Sequence, residues 1–364
     1  MAIGERLLMG PGPSNVYPEV TAALGRPLLG HLDPEFLQLL DETCDELRRV
    51  FRTGNRLTLP VSGTGSAGME AALVNVVRPG DDVVVAVNGL FGERMAEVAG
   101  RQGANVVRVE APWGRPFDPQ AVLDAHPSPA VIAVVHAETS TGVRNDVEAV
   151  AAAKGDALVV ADMVTSLGGI EVAVDAWDVD VAYSGTQKCL GVPPGLAPLT
   201  MGRRAWERRV ERPASWYLDL GLVAGYVDGT GGRTYHHTAP VSMVFALHAG
   251  LGVLLEEGLE ECWARHGHCG QTLQDGLEAM GLELLAPEDH RLPQLTTVRV
   301  PERLPGAMGE ADVRRLLLER HRIEIGAGSG PLAGKVWRIG CMGDSARIAN
   351  VTLLLAALAE VLER

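Results

Sequence analysis

Chemistry that needs a primary amine has few places to occur in this chain, because only three of its 32 basic Lys and Arg residues are lysines: Lys154, Lys188 and Lys335. Lys154 stands near the end of a helix-like stretch, before Gly155-Asp156, and reads as a solvated C-terminal cation. Lys335 follows Pro331-Leu-Ala-Gly334 in a loop-like segment and reads as exposed. Lys188 differs. It closes Val179-Asp-Val-Ala-Tyr-Ser-Gly-Thr-Gln-Lys188, an apolar strand that runs out into small residues, with Gly185, Thr186 and Gly191 around it. An amine that forms imines has to be partly desolvated and close to a bound carbonyl. Only Lys188 has that setting.

Two further motifs belong with it. Ala157-Leu-Val-Val-Ala-Asp162 is a buried-type strand that delivers a carboxylate at its C-terminal end. Alone, such an aspartate is a metal ligand, a helix cap or the partner of a protonated ring nitrogen. Ser62-Gly-Thr-Gly-Ser-Ala-Gly68 follows a strand and opens a helix, and its glycines let backbone wrap a phosphate at a helix N-terminus. A dinucleotide site also wants an acidic residue ending the next strand. Here Asp81 and Asp82 precede that strand and Asn88 ends it, so the anion cup survives and the dinucleotide reading does not. Lysine, aspartate and cup together are what pyridoxal phosphate requires: an amine for its aldehyde, a carboxylate to keep its ring nitrogen protonated, and a seat for its phosphate. The protonated ring is then the electron sink for a carbanion at the substrate α-carbon.

The elements that hold these residues read as an α/β fold. Strand candidates are Leu57–Val61, Asp82–Val87, Asn105–Glu110, Ala130–Ala137, Ala157–Ala161, Val179–Tyr183 and Ala197–Met201. Most are near-continuous apolar runs, as in a mostly parallel seven-stranded sheet covered on both faces by helices such as Ser66–Val77, Phe91–Arg101 and Asp146–Lys154. Sites in such sheets lie beyond the carboxyl ends of the strands. Pro213–Pro240 carries aromatic, Gly and His residues without periodicity, and a helix, Val241–Glu257, ends before Gly258. A smaller α+β domain follows, with strands Thr296–Val300, Ile323–Ile325 and Val336–Ile339 and a last helix, Ala346–Leu362. The expected division is a large domain over 21–257 and a small one over 1–20 and 258–364.

Composition narrows the classes. The 364 residues carry a formal net charge of -14, which excludes a nucleic-acid or anionic-membrane binder, since either needs a basic face. No apolar run approaches the roughly 18 residues of a membrane span. Five scattered cysteines without a CxxC pair suit a reducing compartment and give no structural zinc site, and no signal-peptide core precedes the first Pro/Gly segment; a cytoplasmic globular protein is expected. His236 and His237, adjacent and without a third ligand, read as structural. The Cys262, His266, His268, Cys269 group falls in a helical stretch and is not expected to hold metal.

The sequence resembles the class V, fold-type I pyridoxal-phosphate aminotransferases of the alanine–glyoxylate/serine–pyruvate branch over nearly its whole length. The likeness is carried by Leu8-Met-Gly-Pro-Gly-Pro-Ser-Asn15, Leu57-Thr-Leu-Pro-Val-Ser-Gly-Thr-Gly65, Glu138-Thr-Ser-Thr-Gly-Val143, Tyr183-Ser-Gly-Thr-Gln-Lys188, Tyr235-His-His-Thr238 and Gly334-Lys-Val-Trp-Arg-Ile-Gly340. The resemblance implies that Lys188 binds the cofactor as an aldimine and shuttles the α-proton. It implies that Asp162 pairs with the ring nitrogen, and that Val164 and Phe91 pack on the ring, Phe91 standing where the family often has tryptophan. Thr139 and Gln187 would touch the ring and its phenolic oxygen, and the backbone of Gly65 and Ser66 would bind the phosphate. Tyr235 and Thr238 would close the phosphate site from a neighbouring subunit, making a homodimer. Arg338 would grip the substrate carboxylate, and the Gly10–Gly12 backbone, Gly12 included, would line the substrate side. No metal is implied. The expected activity is ping-pong transfer of the amino group of alanine or serine to glyoxylate or pyruvate. The alternatives are transamination of an aminophosphonate or of pyridoxamine, or a Cβ–S lyase reaction, on the same scaffold. Outside that family stand an NAD-dependent oxidoreductase and a binding protein without cofactor.

Overall fold

A computed structural model of the chain describes residues 4–227 and 232–363. A short first strand, Leu7–Leu8 (β1), precedes helices Pro18–Leu24 (α1) and Pro34–Phe51 (α2). Then come strand Leu57–Ser62 (β2), helix Gly65–Val76 (α3), strand Asp82–Val87 (β3), helix Leu90–Arg101 (α4) and strands Asn105–Glu110 (β4) and Val131–Val135 (β5). A small hairpin, Ala137–Glu138 (β6) with Val143–Arg144 (β7), leads to Leu158–Asp162 (β8), Val181–Tyr183 (β9) and Leu196–Met201 (β10).

Seven of these strands form the central sheet in the order β2-β10-β9-β8-β5-β3-β4. Strand β10 runs antiparallel to both neighbours; the pairings from β9 across to β4 are all parallel. Helices cover both faces, so β5 and β8 are buried along their whole length, while the edge strand β4 alternates between part-buried and exposed residues. Gly68 lets α3 lie close on the sheet. A Cβ there would come within 3.0 Å of Ala197 and 3.3 Å of Tyr183.

All seven predicted central strands form, with small differences at their ends. The largest is at Ala130–Ala137, which stops at Val135. The His136 amide bonds to Asp162 O at 3.0 Å and its carbonyl accepts from Asn145 N–H at 2.8 Å, which turns the chain out of the sheet into the β6–β7 hairpin. Lys154 corrects the expectation of a solvated cation. Its side chain is 2% exposed and ion-paired with Asp178 at 2.6 Å and Asp180 at 3.3 Å. The helix ends at Ala152, and the turn that follows brings the ammonium back beneath the sheet onto those carboxylates.

After the helices Val241–Glu257 and Leu259–Ala279, strands Leu295–Arg299 (β11), Ile323–Glu324 (β12), Gly326–Ala327 (β13) and Val336–Gly340 (β14) appear, and the helix Ile348–Val361 follows. A three-stranded sheet runs β11-β14-β13, and β12 pairs in parallel with β1, so the first strand is carried by the C-terminal part of the fold. There are two main apolar cores. One gathers residues from Tyr17 to Cys262; the other gathers Met9 with residues from Cys269 to Leu362. Among the described residues, no single helix is long and apolar enough to cross a membrane.

Candidate active site

The carboxyl ends of β8 and β9 set the first two groups. Asp162, the last residue of β8, is buried, and it sits in register with Tyr183 at the end of β9. Its Oδ1 accepts from Val164 N–H at 2.9 Å and its Oδ2 from the Tyr183 hydroxyl at 2.8 Å. Burial nevertheless pushes the carboxyl up to about 6. Burial pushes the Tyr183 phenol well above its usual range, and it remains a donor. Lys188, five residues on, is buried too. Its amine donates to Pro11 O, and its carbonyl accepts from the Ser14 hydroxyl at 3.0 Å. Burial first, and the charge of Arg338 second, lower the amine to about 8, with Asp162 acting the other way.

Gly12 makes that contact possible. It has a φ of +101°, and a Cβ there would stand 2.5 Å from the Lys188 Nζ. The Gly10–Gly12 backbone is therefore packed directly against the amine.

The anion cup lies at the start of α3. Thr64, the N-cap residue, makes no side-chain capping bond, and among the described residues no protein acceptor takes the amides of Gly65 or Ser66. The Ser66 hydroxyl accepts from Arg94 Nη1 at 3.0 Å. Behind the cup, the Ser62 hydroxyl bonds to His237 Nε2 at 2.7 Å. Phe91 is the second residue of α4, whose N-cap residue, Gly89, has no side chain to offer. The buried Glu138 serves instead: its Oε2 accepts from the amides of Phe91 and Gly92 at 3.2 and 3.3 Å, and its Oε1 from Ser140 N–H and Oγ–H. Arg94 lies over the Phe91 ring, 5.1 Å from its centroid. Thr139, next to Glu138, shares a hydrogen bond between hydroxyls with Thr165. Val164 packs against Gly65, and the buried Gln187 Oε1 has no partner among the described residues.

Arg338 comes from β14, between the buried Trp337 and Ile339. Its Nε donates to Ala327 O at 2.7 Å and its Nη1 to Thr139 O at 3.4 Å, which leaves Nη2 unspent. Burial lowers its pKa, and the Glu138 charge opposes the shift. A fork with free N–H groups, held close enough to a desolvated amine for its charge to act there, is fitted to a carboxylate.

The structure thus links Gly12 to Lys188, Asp162 to Val164, Val164 to Gly65, Ser66 through Arg94 to Phe91, and Arg338 to Thr139, with Gln187 beside Lys188 and the charges of Asp162 and Arg338 both felt at the Lys188 amine. It does not bring Tyr235 or Thr238 there within the chain. Tyr235 is 62% exposed, 3.5 Å from the Thr238 hydroxyl, in a surface cluster of rings that includes His31, Trp216, Tyr217 and His236. The gathered residues fit pyridoxal phosphate on three observations. Two helix-end amides are free to bind an anion, Gln187 Oε1 is an orphaned acceptor, and each Asp162 oxygen keeps a second lone pair for a ring N–H.

Two residues of the site are not singled out in the sequence: Tyr183 and Arg94. Tyr183 has a signal, since a phenol inside a buried strand needs a partner. Arg94 has none, because it acts on another element.

The Aminotransferase class-V family model matches residues 14–339. The chain is 46% identical to an alanine–glyoxylate aminotransferase from Nostoc sp. of known structure, with a TM-score of 0.95 covering 100% of this chain and 96% of that one. It is 40% identical to the (S)-ureidoglycine–glyoxylate transaminase of Bacillus subtilis, over 99% of this chain and 91% of the relative. A pyridoxamine–pyruvate aminotransferase from Mesorhizobium loti has 29% identity and a TM-score of 0.92, covering 99% of this chain and 93% of that one. Geometry and likeness agree, and the chain belongs to the class V aminotransferases.

Proposed function

We propose that the protein is a pyridoxal-phosphate aminotransferase that passes the amino group of a small L-amino acid, alanine or serine, to a small 2-oxo acid, with glyoxylate the first choice and pyruvate the second. The observation that carries the reading is the scarce, desolvated amine of Lys188 held among a buried carboxylate, Asp162, and the unspent donors of Arg338. When bound, pyridoxal phosphate supplies the aldehyde and the electron-withdrawing ring that acidify the α-proton of an amino acid. Asp162, fixed by Val164 and Tyr183, holds the proton on the ring nitrogen. Lys188, lowered to about 8, has free base near neutral pH and moves the α-proton at its Nζ. Phe91 and Val164 would hold the ring, Thr139 and Gln187 would contact the ring and its phenolic oxygen, and the amides of Gly65 and Ser66 would hold the phosphate. Arg338 orients the carboxylate of donor and acceptor alike, and the Gly10–Gly12 wall favours a short side chain.

Glyoxylate is preferred because the names of the Nostoc and Bacillus subtilis proteins share it. A lyase that works through a thiolate is disfavoured, since all five cysteines are buried and burial raises the thiol of Cys341, the cysteine that follows Arg338 most closely in the chain. The exposed rings around Tyr235 support a homodimer in which Tyr235 and Thr238 complete the partner's site.

The test is spectroscopic. A band near roughly 420 nm should form with pyridoxal phosphate and bleach with the correct donor. Alanine, serine and (S)-ureidoglycine, each followed as a half-reaction, rank the donors; glyoxylate and pyruvate then rank as acceptors. No band in the reconstituted protein, or the same band in Lys188→Ala, overturns the reading.

A further inference from the structure

We propose that Arg94 is the charge partner of the anion cup, a positioning residue that acts on the cofactor's phosphate through the Ser66 hydroxyl. The proposal rests on the reading of the α3 N-terminus as the phosphate seat.

The cup is short of charge. A phosphate monoester carries about -1.5 to -2 near neutral pH, whereas a helix end offers roughly half a positive charge. The string Ser62–Gly68 contains no lysine or arginine. The missing cation comes from the next helix. Arg94 Nη1 donates to Ser66 Oγ at 3.0 Å. That bond fills a lone pair of the hydroxyl and leaves its hydrogen to point away from the guanidinium, towards the side where the Gly65 and Ser66 amides are bare. Guanidinium, hydroxyl and anion then make a relay in which every donor faces an acceptor.

The neighbouring arginines show that Arg94 is held in reserve. Arg101, on the same helix, is paired with Glu97 at 2.6 Å, and Arg108 on β4 is paired with Glu93 at 2.8 Å and Glu110 at 3.0 Å. Arg94 makes no ion pair among the described residues: it bonds the Ser66 hydroxyl and lies over the Phe91 ring, and its charge reaches the buried Asp162 without touching it. The Phe91 ring, itself placed by Glu138, steadies the guanidinium 5.1 Å above its centroid.

Pyridoxal, which has the ring and aldehyde without the phosphate, separates this role from a general one. Apoprotein of the wild type, R94Q, R94K, S66A and the R94Q/S66A double variant is titrated with pyridoxal phosphate and with pyridoxal, and the bound form is read by its absorbance band. R94Q should weaken pyridoxal phosphate about 10- to 100-fold, the scale of a charge-assisted hydrogen bond, and leave pyridoxal within about 3-fold. R94K should recover part of the loss. The double variant should lose no more than the weaker single variant, because one relay is broken only once. Equal weakening of both compounds places Arg94 on the ring through Phe91 and overturns the proposal, as do additive losses or an unchanged affinity for pyridoxal phosphate. Wild-type apoprotein that takes up neither compound sinks the cofactor reading itself, a result distinct from a normal wild type with an unaffected R94Q.

Discussion

Replacing Glu138 by glutamine tests whether a buried carboxylate has been accepted into this fold for its hydrogen bonds. Glu138 is fully buried and takes four bonds, from the amides of Phe91, Gly92 and Ser140 and from the Ser140 hydroxyl. Burial outweighs them and pushes the group from its ordinary 4.5 up to about 7, with the Asp162 charge adding to the rise. The folded protein therefore binds this proton more tightly than the unfolded chain does. The stabilisation is fully present below about 4.5 and is lost as pH rises through about 7. At about 1.4 kcal/mol per pH unit the whole effect is about 3 kcal/mol, most of it between pH 5 and pH 8. Glutamine has the same shape and does not titrate. The wild type should thus lose about 2 to 3 kcal/mol relative to Glu138→Gln over that range, whatever other groups titrate in both. Urea unfolding of the two apoproteins by circular dichroism at pH 5, 6, 7 and 8 measures the difference. A gap that stays constant within about 0.5 kcal/mol would refute the reasoning, since it would mean that Glu138 titrates alike in folded and unfolded chains.

Other outcomes follow from the same geometry. Gly12→Ala puts a Cβ where the Lys188 amine sits, on a residue with φ of +101°, and should cut the transamination rate by at least about 10²-fold with the visible band weakened or lost. Arg338→Gln should raise KM for donor and acceptor together about 10- to 100-fold. It should also move the pH midpoint for cofactor uptake by the apoprotein, read by stopped-flow absorbance, upward from about 8, because one of the two causes that lower Lys188 is gone. If sites are shared between subunits, Lys188→Ala mixed with a Tyr235→Ala/Thr238→Ala variant should regain about a quarter of wild-type activity, since random pairing makes half the dimers mixed and each has one intact site. Mixtures that stay inactive while the variants exchange subunits would remove Tyr235 and Thr238 from the neighbouring site.

The sheet was legible because its strands are buried on both faces. Runs such as Val83–Val87 and Val131–Val135 have no polar face to blur their ends. Lys188 and Asp162 were legible for a different reason: a lone lysine and a lone carboxylate, each at the end of such a run, have little to do there except chemistry. The partners of Glu138 and Arg94 were not legible because they are set by α4, which brings Phe91 and Gly92 to one and Ser66 to the other; nothing in the local string encodes that meeting. Lys154 misled for the same reason, since Asp178 and Asp180 lie more than twenty residues beyond it. Tyr235 and Thr238 lie in an exposed cluster away from Lys188, and one chain alone gives them no place at the site.

The strap that runs from Leu7 to Gly12 has a consequence for redesign. It is stitched to the C-terminal sheets by β1 on β12 and by the Met9 bonds to Glu324 and Gly340, yet its tip rests on an amine that belongs to the other core. Gly326 and Gly340 are the seats beneath it, for a Cβ at either would press on Pro11 or Gly10. A side chain at either seat would therefore lift the strap, and because Pro11 holds the Lys188 amine, a change made in one core would be felt at a group anchored in the other.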